Sequence, residues 1–192
     1  MTPAHHTHYR LAGILAMVNA LLTIPWFIMT FFLADKTGIW PKVAEAVMQT
    51  SSTMIFVFTS LVLMKLLNRV HAFHATDRYI MILIKANIVL TAISLIGVVV
   101  PSIGSSAGTL ALILIAPLGV VQLLFGRKLL QLPSDLGGLH RPYCYLNIIT
   151  GISMAAVILL PLGILTGAIA DIMLGTIFFQ AAGSGKLVDT EA

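Results

Sequence analysis

Charge and cysteine are both scarce in this 192-residue chain: charged residues make up 9% of it, and Cys144 is the only cysteine. A single thiol excludes an internal disulfide, and it leaves the redox compartment open. No G-x-x-x-x-G-K-[ST] and no H-E-x-x-H pattern is present, so nucleotide-driven and zincin chemistry have no support in the sequence. An enzyme acting on lipid would need a nucleophile or paired carboxylates at the basic interface described below, where the loops between spans offer only Asp77 and Asp135. An enzymatic role is not expected, nor is a nucleic-acid partner. No cofactor is expected.

What the chain has instead is apolar surface. Hydrophobic residues reach 58% and the mean hydropathy is +1.00, which no water-exposed fold of this size accommodates. One helical span consumes about 20 residues, so a single membrane domain covering 1–192 is expected, with no room for a soluble one. The first apolar run continues from Leu11 to Ala34, longer than the roughly 7–15 residues of a signal-peptide core. It reads as a retained span.

Spans are expected near 11–34, 43–67, 79–100, 108–126, 143–160 and 162–180. The last two come from one stretch, Tyr143 to Ala182, of 40 residues in which Asp171 is the sole charge. As a single helix it would extend about 60 Å, twice the roughly 30 Å hydrocarbon core. Pro161-Leu162-Gly163 offers a place to turn. The fold class is therefore all-α, a polytopic helical bundle of six spans arranged as three hairpins, with five spans as the alternative. The run-outs Lys65-Leu66-Leu67-Asn68, Lys128-Leu129-Leu130-Gln131 and Lys186-Leu187-Val188-Asp189 resemble one another, consistent with a repeated hairpin.

Six spans place Arg10, Lys65, Arg69, Arg78, Arg127, Lys128, Arg141 and Lys186 on one side, against Lys36 and Lys42 on the other. By the positive-inside rule both termini are cytoplasmic, in a bacterial inner membrane or its equivalent. The bilayer is the first partner, and other membrane subunits or a second copy are expected besides.

Asp171 is the leading candidate for chemistry, because an ionised carboxylate at mid-membrane costs at least about 2.5 kcal/mol and must face protein or water. Gly163, Gly167 and Gly175 share its four-residue spacing and mark a close-packing face. Lys85 lies at a similar depth on the third span and is the expected ion partner, unless it snorkels to the headgroups. Asn19, Asn87 and Asn147 would complete an intramembrane polar network. Gln49 to Thr53 form a polar run on the second span, for which helix packing is the favoured role over a polar pathway. All six histidines gather near the basic interface, and His71, His74 and His140 are weak candidates for metal or haem.

The leading expectation is a small membrane protein without its own catalytic centre, serving as subunit, assembly factor or binding partner. The alternatives are a proton- or cation-coupled transporter using Asp171, with Glu45→Gln as a silent control, and a haem- or metal-binding protein using the histidines.

Overall fold

Backbone amides and carbonyls that cannot reach water must pair within their own segment, so apolar runs of this length become helices. The computed structural model describes residues 3–34, 38–100 and 104–188. It contains α1 (Pro3–Ala34), α2 (Ile39–His71), α3 (Asp77–Val99), α4 (Gly104–Leu129), α5 (His140–Ala155) and α6 (Leu160–Val188), with a short 3₁₀ turn at Leu136–Gly138. Among the described residues there is no strand. Five helices, all but α5, are long and apolar enough to cross a membrane. This is a membrane-spanning helical bundle.

The 40-residue apolar stretch is two helices, but it does not turn where the sequence suggested. α5 stops at Ala155, and Pro161 is the second residue of α6. There a missing N–H costs nothing, since the first turn of a helix has no internal acceptor for it. The reversal occupies Ala156–Leu159, with Val157 at φ 54°. Ile158, 86% exposed, caps this corner. The 16 residues of α5 extend about 24 Å, short of a roughly 30 Å hydrocarbon core. The remaining helices begin or end several residues beyond their expected limits: α1 starts at Pro3 and α2 reaches His71. Asp35, Lys36 and residues 101–103 lie outside the described residues.

Each helix packs antiparallel on its neighbours in sequence, and α6 returns to pack on α1. The result is a closed ring of six. The tightest approach is between α4 and α5, where a Cβ on Gly119 would come within 2.6 Å of the Gly151 carbonyl oxygen and one on Gly151 within 2.7 Å of that of Gly119. Small residues let these two backbones touch, replacing the hydrophobic drive that is missing between helices in lipid.

Most of the solid core lies at the end of the ring bearing the basic residues. Leu66, Leu67, Leu129, Cys144 and Phe178 are almost fully buried there. Its corners are pinned by hydrogen bonds: Asn68 Nδ2 donates to Asp77 Oδ2 at 2.9 Å, and the buried His140 Nε2 meets the Leu129 carbonyl at 2.8 Å. The outer circumference carries apolar side chains such as Leu21, Met54 and Ile113, each more than 60% exposed, as a lipid-facing belt requires.

Candidate functional site

At mid-height the ring does not fill. A cavity of about 330 Å³ is lined from all six helices, including Thr23 of α1, Thr59 of α2, Asn87 of α3, Gln122 of α4, Asn147 of α5 and Asp171 of α6. That volume is at the lower end of the range for small-molecule sites, roughly 300–1,000 Å³. Most of its wall is apolar, with Phe56, Leu63, Leu118 and Phe125 among the lining residues.

Asp171 stands midway along the apolar segment Leu160–Gly183. Asn19 Nδ2 of α1 donates a 2.7 Å hydrogen bond to its Oδ2, and Ser52 Oγ of α2 donates to Asn19 Oδ1 at 3.4 Å. Three helices are thus tied through one amide. The aspartate has no ion-pair partner among the described residues. Its position on the ring follows from helix geometry. Residues four apart advance about 400°, a net drift of about 40°, so Gly163, Gly167, Asp171 and Gly175 precess by about 120° in total. Gly163 faces Ser153 and Met154 of α5, with its added Cβ falling 3.2 Å from the Ser153 Cβ, and Gly167 looks toward Thr150. Gly175 instead faces Gly13 of α1, and a Cβ there would fall 3.0 Å from the Gly13 carbonyl oxygen. Asp171 lies between these two contacts and turns toward the cavity.

Lys85 is elsewhere. It is exposed on α3, which packs on α2 and α4 and makes no contact with α6. The depth argument placed Lys85 and Asp171 at similar heights but carried no information on which helices are neighbours. Asn87 lines the cavity without bonding Asp171, and Asn147 belongs to a separate group: it accepts from Gln122 Nε2 at 2.5 Å and donates to the Tyr143 carbonyl at 2.8 Å. Thr150 and Thr166 join α5 to α6 at 2.8 Å. Gln122 was missed from the sequence, although it is the single amide in an otherwise apolar fourth span.

The polar run on α2 divides its labour. Thr53 pairs with Thr91 of α3 at 2.6 Å, a helix-packing contact, while Ser52 faces Asn19 and Gln49 lines a second cavity with Glu45.

The described histidines are held in different surroundings. His140 is committed to the Leu129 carbonyl, which only accepts, so its Nε2 carries the proton. His74 Nδ1 lies 3.2 Å from Asp77 Oδ2 at the α2–α3 corner. Among the described residues no three His, Cys, Asp or Glu side chains come together as a metal site would require. Gly104 to Gly108 matches the G-x-S-x-G spacing of an esterase elbow, but here it opens helix α4. The elbow needs a strand-to-helix turn, and among the described residues there is no strand.

No protein-family model, curated protein or solved structure matches this chain. The reading of the site therefore stands on its geometry.

Proposed function

We propose that this protein is a small membrane carrier, coupled to protons or cations, in which the central cavity holds the substrate and Asp171 holds the charge. One observation carries this reading: a mid-membrane carboxylate with a single neutral donor, Asn19, in the wall of a cavity that all six helices share. An intramembrane carboxylate facing a cavity is expensive to maintain, and such residues mark ion and proton pathways. With no lysine or arginine paired to it among the described residues, the neutralising partner is left to a cation or a proton.

The subunit or assembly-factor reading drew on the glycine face of α6. Those glycines are used inside the ring, against α5 and α1, and are not free for another chain. That reading gives the cavity no task. Cytoplasmic termini remain the orientation supported by the one-sided basic residues.

The test is uptake of a panel of monovalent cations, inorganic and organic, by vesicles containing the purified protein under an inside-negative potential. Protein-dependent uptake of at least one member, lost in Asp171→Asn, is expected. Absence of uptake across the panel, or uptake indifferent to Asp171→Asn, overturns the proposal.

A further inference from the structure

A second cavity, also about 330 Å³, lies in the half of the ring away from the basic end, lined by Trp26 and Phe27 of α1, Glu45, Gln49 and Ser52 of α2, and Ser94 of α3. Its place relative to the central cavity follows from helical spacing. Glu45, Gln49 and Ser52 are succeeded along one stripe of α2 by Phe56, Thr59 and Leu63, which line the central cavity. On α1, Asn19 and Thr23 lead at the same spacing to Phe27. The two cavities therefore share inward faces of the same helices. What stands between them is thin: Ser52, itself a wall of the outer cavity, bonds Asn19, and Asn19 bonds Asp171 in the inner one.

The two cavities also repeat one chemistry. Among the described residues each presents a single carboxylate, Glu45 or Asp171, and lining aromatic rings, Trp26 and Phe27 in one and Phe56, Phe125 and Tyr143 in the other. Hydroxyl and amide groups complete both. Glu45 is half-buried and forms no ion pair among the described residues. A carboxylate with indole and phenyl faces is the pairing that recognises ammonium-type cations, which gain from ring quadrupoles as well as from charge. Inorganic ions, more strongly hydrated, have less use for such a wall.

We infer that the outer cavity is a second substrate site in series with Asp171, that its ligands are monovalent organic ammonium or pyridinium cations, and that the Ser52–Asn19 contact is the partition they cross. This rests on the carrier reading and names its substrate class. Glu45 is then part of the pathway, and Glu45→Gln cannot serve as a silent control.

The experiment uses Trp40→Phe protein in nanodiscs, where Trp26 is the remaining indole. Titration with 1-methylpyridinium, a monovalent cation that quenches indole emission, should give saturable quenching. Glu45→Gln should weaken the apparent affinity at least tenfold, Glu45→Asp should restore part of it, and Asp171→Asn should leave the Trp26 signal in place while abolishing uptake of the same cation by vesicles. Gln49→Ala gives an independent weakening should Glu45→Gln fail to fold. Quenching that is unsaturable, or equal in Glu45→Gln, overturns the outer site while leaving Asp171-dependent uptake standing. Quenching that depends on Glu45 together with uptake indifferent to Asp171 overturns the carrier and the serial pathway, and leaves a binding site alone.

Discussion

Asn19 of α1 and Asp171 of α6, 152 residues apart in sequence, meet in a 2.7 Å hydrogen bond that closes the first helix onto the last. Asn19→Leu should therefore act twice. It removes the carboxylate's one side-chain donor among the described residues and cuts the link to Ser52, at a cost of about 1–3 kcal/mol for a buried acceptor left without its partner. Thermal unfolding in detergent should show the loss, and cation uptake should fall with it. Asn19→Gln, which keeps the amide, should recover part of both; equal behaviour of the two variants would detach Asn19 from the site.

The α4–α5 contact predicts a sharp contrast among glycines of one helix. Gly119→Ala places a methyl against the backbone of Gly151 and Ala155 and should destabilise the bundle by about 1–3 kcal/mol, the usual cost of overpacking. At Gly108 of the same helix a Cβ meets nothing within 4 Å. Gly108→Ala should be neutral, or stabilising by up to about 1 kcal/mol, because alanine is the better helix former. Denaturation midpoints of the two variants, measured side by side, decide this.

His140 should behave as a structural tie. His140→Ala leaves the Leu129 carbonyl without its donor and should cost about 1–3 kcal/mol of stability. Metal content of the purified protein should be the same in His140→Ala and in the parent. Loss of a stoichiometric metal with the substitution would reverse this assignment.

Thr53 and Thr91 offer a clean pairwise measurement, since their hydroxyls meet at 2.6 Å across α2 and α3. A double-mutant cycle with Thr→Val at both positions should return a coupling of about 0.6 kcal/mol, typical for such bonds between membrane helices. A coupling indistinguishable from zero would mean that the two hydroxyls bond their own backbones instead.

Orientation is accessible through the lone cysteine, which is buried at position 144. In a Cys144→Ala background, a cysteine in place of the exposed Trp40 should react with an impermeant maleimide only from outside the cell, and a reporter fused to the carboxyl terminus should be active only inside. The opposite pattern would invert the whole assignment.

Much of the fold was legible along the chain. The helices, their order and the reversal before α6 follow from apolar run length, and Asp171 was identifiable as the charge that run could not hide. Glu45 was legible too, as a carboxylate on the second helix, but along the chain it served only as a silent control. The Lys85 pairing shows where one-dimensional argument stops: depth is additive along a helix, while neighbourhood is not. The glycine spacing of α6 was visible, but its precession from α5 to α1 emerged only once the helix had neighbours.

The sequence by itself determined that this is a bundle of apolar helices with a one-sided basic end and a carboxylate at mid-height. Only the tertiary structure decided which faces turn inward, and with them the two cavities and the Ser52–Asn19–Asp171 link. The physical reason is that lipid tails and a helix-packed core are equally apolar, so a membrane helix carries little periodic signal to distinguish its inner face from its outer one. The closure of α6 onto α1 makes that choice.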